Sequence, residues 1–197
     1  SSQGASAAPQ WATPAGGAWT VLSHNNFSAT AASYTENRGW TSDYTQVKCV
    51  YSYVSTSGNQ YGTVAIRFYT DTSLGQQGTL ETGNNYIWSR LRIPFNSTNI
   101  NGQTGQSTEW QLKGPTGGNF QCFSGELVFP IATVTGTWNI DKSARNTVSD
   151  NDGRVEGWGK YNGTSSKIIV GARLYNNDGT PNNWTEGTAT WYGLKKS

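Results

Sequence analysis

Between positions 86 and 95 the chain alternates strictly between two kinds of side chain. Tyr86, Trp88, Arg90 and Arg92 hold one parity, and Ile87, Ser89, Leu91, Ile93 and Phe95 hold the other. Successive side chains of an extended strand point to opposite faces. The pattern therefore predicts a strand with an aliphatic face for a core and a second face of two aromatics followed by two guanidinium groups. Rings beside planar, multi-donor cations suit a polyhydroxylated or anionic ligand, because the rings stack and the forks donate hydrogen bonds. The same residues also suit a second buried face, with Tyr86 and Trp88 under a neighbouring sheet and the arginines at its rim.

Period-two runs recur at Val64, Ile66 and Phe68 and at Ile168, Val170, Ala172 and Leu174. Strands are expected over 19–22, 45–55, 62–70, 86–95, 109–113, 120–129, 133–140, 154–161, 167–175 and 187–194. Turn-formers separate them, and Asn162-Gly163 favours the positive φ angles of a tight hairpin, which predicts that the strands on either side pair. Two polar stretches, 96–108 and 141–153, read as loops; the first is long enough to suggest a functional segment. No window carries an apolar repeat of helical period over ten or more strong helix formers. The expected fold is all-β, a two-sheet antiparallel sandwich of jelly-roll type over residues 19–197. A small-residue N-terminal arm over residues 1–18 precedes it and offers a route to self-assembly.

Composition sharpens this picture. The 197 residues include 9 Trp, 10 Tyr and 24 Gly, only 13% charged residues and no Met, which suits strands joined by tight turns. The absence of Met leads to the expectation that this is not the primary translation product, with a leader removed or the chain trimmed. The expected setting is extracellular, or the virion if the chain is a coat subunit. A net charge of +2, with the basic residues scattered, gives no footprint for nucleic acid, and no apolar run is long enough for a membrane span. Sequons stand at Asn26, Asn96, Asn162 and Asn183, about the number that chance supplies in a chain this rich in Asn, Ser and Thr.

Candidate chemistry is sparse. One histidine, His24, and two cysteines cannot build a zinc site, so no metal or cofactor is expected. Cys49 and Cys122 lie in strand-like stretches and are expected to form one disulfide, the alternative being two buried thiols. The run Asp150-Asn151-Asp152-Gly153 has part of a calcium-loop pattern, but the distal glutamate comes too early and a turn tip explains it. A sugar hydrolase would need two facing carboxyl groups; Glu126, Glu156 and Glu186 are the strand-borne candidates, with aromatics near the last two. In length, Trp and Tyr content and lack of Met the chain resembles small jelly-roll xylanases. Their two Tyr-rich, glutamate-bearing strand motifs have no counterpart here, so no catalytic role is carried over. The sequence reads as a non-catalytic, lectin-like carbohydrate-binding protein whose ligand face is Tyr86, Trp88, Arg90 and Arg92. The alternative is a structural subunit of a shell or filament.

Overall fold

The computed structural model describes residues 18–28, 34–55, 64–94, 100–111, 121–131, 143–150, 153–161, 163, 167–176 and 186–196. Among them there is no helix. Thirteen strands follow one another: β1 (Trp19–Ser28), β2 (Tyr34–Arg38), β3 (Tyr44–Ser55), β4 (Val64–Asp71), β5 (Thr79–Leu80), β6 (Tyr86–Pro94) and β7 (Asn101–Ser107). The second half adds β8 (Trp110–Gln111), β9 (Gln121–Pro130), β10 (Ser143–Asp150), β11 (Gly153–Tyr161), β12 (Ile168–Asn176) and β13 (Glu186–Lys195).

An eight-stranded sheet runs β1-β13-β3-β9-β10-β11-β6-β7, and a five-stranded sheet runs β2-β12-β4-β5 with β8 also on β4. Every pairing is antiparallel. The partnerships β1/β13, β2/β12, β3/β9 and β4/β5 are nested and fall alternately in the two sheets. That is a long hairpin rolled upon itself, the winding of a jelly roll. Two further hairpins, β6–β7 and β10–β11, are inserted into this winding and widen the larger sheet beyond β9.

Alternation builds the core. Val47, Cys49 and Tyr51 of β3, Leu127 and Phe129 of β9 and Ala189 and Trp191 of β13 turn inward, to meet Ile66 and Phe68 of β4 and Ala172 and Leu174 of β12. Each fully buried Leu, Ile or Phe contributes about 1.5–3 kcal/mol on the transfer scale. At the centre the Phe129 ring lies 5.0 Å from Trp40, 6.1 Å from Phe68 and 6.2 Å from Trp191. Two buried indole N–H groups find partners on β2: Trp191 Nε1 donates to Thr35 Oγ1 at 3.2 Å, and Trp40 Nε1 to Asn37 Oδ1 at 2.8 Å, whereas Trp110 Nε1 has no hydrogen-bond partner among the described residues.

Several expectations need correction. The stretch 96–108 is not a loop throughout, because Asn101–Ser107 is strand β7, paired with β6 over seven residues. The stretch 141–153 likewise holds β10, which sits between β9 and β11. Ladder hydrogen bonds, not apolar patterning, place both. The Asn162-Gly163 region is a crossover and not a hairpin, since β11 belongs to the larger sheet and β12 to the smaller. Asp150 and Gly153 are register partners of the β10–β11 pair, and Asn151 and Asp152 between them lie outside the described residues. The short strands β2 and β5 were not anticipated. The expected strand at 133–140 and the N-terminal arm up to Gly17 lie outside the described residues.

Cys49 and Cys122 do not form the expected disulfide. Cys49 is a buried free thiol whose register partner on β9 is Leu127, whereas Cys122 lies opposite Val54. The five-residue offset along the strand amounts to about 16 Å, far beyond the Cα separation a disulfide tolerates.

Candidate functional site

Strand β6 forms where it was expected, but it is turned over. Tyr86 has no exposed surface and belongs to the core, and the Trp88 ring packs against that core. The aliphatic parity of Ile87, Ser89, Leu91 and Ile93 faces outward, with Ile93 among the exposed hydrophobics. Two large rings bury more area than an aliphatic face interrupted by Ser89. The phenol also finds partners inside: Tyr86 OH accepts the Phe68 N–H and donates to the Glu81 carbonyl. Tyr86 is therefore withdrawn as a ligand contact.

The rest of that parity runs out of the core along the strand. Trp88 Nε1 donates to Ser107 Oγ at 3.2 Å, and the Arg90 guanidinium lies 5.2 Å over the Trp88 ring. Arg90 Nε donates to Gln103 Oε1 at 2.7 Å, and its second terminal nitrogen donates to the same oxygen. Burial, and then the neighbouring Arg92 charge, lower the Arg90 pKa. Arg90 and Arg92 are half-buried.

Glycines let the rings lie flat on the sheet. Gly159 of β11 and Gly105 of β7 are the two register partners of Trp88. A Cβ at Gly105 would stand 2.5 Å from Trp88 Cζ2, and one at Gly159 would stand 2.6 Å from Trp110 Cδ2. Both positions thus accept aromatic cover on the inner side and leave only backbone on the outer side.

That outer side holds a groove of about 450 Å³ across β11, β6 and β7. Its floor is the backbone of Gly159, Trp88 and Gly105. One flank is the cross-strand row Lys160, Ile87 and Gln106, and the other is the row Trp158, Ser89 and Thr104. Rows two residues apart along a strand are separated by about 7 Å, and three strands span about 10 Å from first to last. Trp158 is 59% exposed, the most exposed ring of the described core-forming strands. Gln106 Nε2 is anchored to the Asn84 carbonyl at 3.0 Å. The groove thus offers a flat apolar wall, two hydroxyls, an amide and an ammonium group on rigid strands. Sequence reading placed Trp158 only beside a glutamate; its parity with Lys160, opposite to three glycines and a tyrosine at 153, 157, 159 and 161, was the available signal.

Of the glutamate candidates, Glu186 stands apart from the other two. Glu156 and Glu186 lie on β11 and β13, four strand spacings apart in one sheet, about 19 Å and outside the range for a hydrolytic pair. Glu126 and Glu156 are both register partners of Thr147. Glu126, however, is 42% exposed and ion-paired with Lys48 at 3.6 Å, on an open sheet face. His24 is held at the surface by Thr190 Oγ1 at 2.8 Å and Asn26 Oδ1 at 3.0 Å. Among the described residues no three His, Cys, Asp or Glu side chains gather as metal ligands.

No family profile matches this chain, and no curated protein does. Solved structures give weak likenesses. A carbohydrate esterase from the Shiga toxin-encoding bacteriophage phi24B aligns at 14% identity and TM-score 0.31, covering 93% of this chain and 88% of its own. An alginate lyase from Pseudomonas aeruginosa aligns at 11% identity and TM-score 0.30, covering 81% of this chain and 68% of its own. The VP2 subviral particle of infectious bursal disease virus aligns at 12% identity and TM-score 0.21, covering 89% of this chain and 38% of its own. At these scores none of the three transfers an activity to this chain.

Proposed function

We propose that the protein binds carbohydrate, without breaking it down, through the groove across β11, β6 and β7. The observation that carries this reading is Trp158, 59% exposed on a strand paired on both sides, beside hydrogen-bonding groups on β6 and on the edge strand β7. An exposed indole is a platform for the apolar face of a sugar ring, and Ser89, Thr104, Gln106 and Lys160 are placed to meet its hydroxyls. Because strands and not loops hold these groups, little ordering is left to oppose binding. The face first read from the sequence contributes from behind: Trp88 supports the groove floor, and Arg90 fixes Gln103 on the edge strand. The setting that suits this activity is extracellular.

A second reading, a subunit of a shell or filament, is favoured by a separate observation. At the far end of the same sheet Trp19, Val21 and Val50 are 38%, 57% and 41% exposed. Apolar exposure of that kind marks protein interfaces. A glycan array read with the wild type and Trp158→Ala, together with light scattering, separates the two. Glycan binding by a monomer, lost in the variant, supports the carbohydrate reading. No glycan binding by a large assembly overturns it in favour of the subunit.

A further inference from the structure

We infer that the groove selects acidic glycan chains, bearing carboxylate or sulfate groups, over neutral ones; this rests on the carbohydrate-binding reading above. Among the described residues, Lys160 is the only charged one lining the groove. No carboxylate stands in either flanking row.

The surrounding strands reinforce that bias. From β6 through β7 and from β10 through β11 the sequence carries Arg90, Arg92, Arg145, Arg154 and Lys160 against Asp150, Asp152 and Glu156, a balance of +2 that equals the total of the chain. The positive charge of the molecule is thus concentrated on the two inserted hairpins that form and flank the groove. Arg90 makes no ion pair among the described residues; its Nη1 atom is buried without a hydrogen-bond partner among them. It lies on the far side of β6 from the groove floor, and part of the path between them is low-dielectric protein, where a charge is screened less than in water.

The charges also give the bound chain a polarity. Along β11 the order is Glu156, Trp158, groove, Lys160, and Glu156 is the register partner of Leu91, one row outside the Trp158 flank. Anionic substituents therefore meet Lys160, away from Glu156, and the sugar faces lean on Trp158, whose register partner on β10 is Arg145. A strand-crossing chain leaves the groove over β7, the edge of the sheet.

The test is calorimetric titration with three oligosaccharides of equal length: one uronate-bearing, one sulfated and one neutral. The proteins are the wild type, Lys160→Gln, Trp158→Ala and Lys195→Gln, the last making the same charge change on β13. The expected result is tighter binding of at least one acidic ligand than of the neutral one. Lys160→Gln should weaken that acidic ligand about three- to fivefold, the scale of an exposed charge pair, while Lys195→Gln leaves it as in the wild type. Added salt should narrow the gap between acidic and neutral ligands. Equal affinity for all three, still lost in Trp158→Ala, overturns the acidic preference and leaves carbohydrate binding standing. No binding of any of the three overturns both.

Discussion

The Tyr86 hydroxyl accepts the Phe68 backbone amide at 2.8 Å, a hydrogen bond that ties β6 of the larger sheet to β4 of the smaller. Replacing Tyr86 by Phe leaves a buried N–H and the Glu81 carbonyl without that partner. The expected loss is about 1–3 kcal/mol in urea unfolding, the usual cost of an unsatisfied buried group. Glycan affinity should be unchanged. A variant of wild-type stability that no longer binds glycan would mean that Tyr86 faces the ligand.

Gly105 and Trp88 make a second close fit. Gly105→Ala pushes a methyl group into the Trp88 ring and is expected to cost about 1–3 kcal/mol, as overpacking does. Gly102 lies on the same strand, and a Cβ there meets nothing within 4 Å. Gly102→Ala should therefore stay within about 0.5 kcal/mol of the wild type. Thermal melts of the two variants check this, and equal midpoints would contradict the aromatic cover on Gly105.

Acid should destabilise the protein through two carboxylates. Burial opposes ionisation of Glu36, but hydrogen bonds from Tyr69 and Arg173 and the charges of Arg173 and Arg38 outweigh it and hold its pKa below the ordinary 4.5. At Glu81 burial is likewise outweighed, here by hydrogen bonds from Thr70 and Lys167 and the Lys167 charge, so its pKa is also lowered. A carboxylate with a depressed folded pKa stabilises the fold fully above its unfolded pKa and loses that contribution as pH falls through the folded value. Melting temperature should thus hold near neutrality and fall below about pH 4.5. Glu36→Gln and Glu81→Gln should lower it at neutral pH and flatten the acid decline. An equally steep decline in both variants would show that other groups drive it.

Much of this fold was legible in period-two patterning, and the failures have physical causes. Strands β3, β4, β9 and β13 alternate or run apolar because they line the space between the sheets. Strand β7, NGQTGQS, has no such signal: it is an edge strand whose glycine accommodates Trp88, and its pairing rests on backbone hydrogen bonds. Strand β10 escaped for the same compositional reason. The hairpin assigned to Asn162-Gly163 was a local reading of a turn motif, and the winding of the sheets overrode it. Strand β6 was located correctly and turned the wrong way, because alternation identifies two faces without saying which one is covered. Tyr86 and Trp88 were the larger burden to leave in water. Its candidate site moved accordingly, from the Tyr-Trp-Arg parity to the backbone floor behind it and to Trp158 on the neighbouring strand.

The cysteines give a direct check of register. Cys49 is buried and burial pushes its thiol pKa well up, so the native protein should resist alkylation there. After unfolding without reductant, Cys49 should alkylate fully, as read by intact mass and peptide mapping. A Cys49–Cys122 disulfide in the unreduced protein would contradict the β3–β9 register.

The most direct measurement compares Trp158→Ala with Trp88→Ala for glycan affinity and stability together. Trp158 stands in solvent, so its removal should weaken binding by about 1–3 kcal/mol, as loss of a hot-spot ring does, with the melting temperature essentially unchanged. Trp88 covers Gly105 and packs on the core, so its removal should cost stability, about 3 kcal/mol for a half-buried ring. Wild-type affinity in Trp158→Ala, or lost binding at wild-type stability in Trp88→Ala, would contradict the assignment of the groove as the binding site.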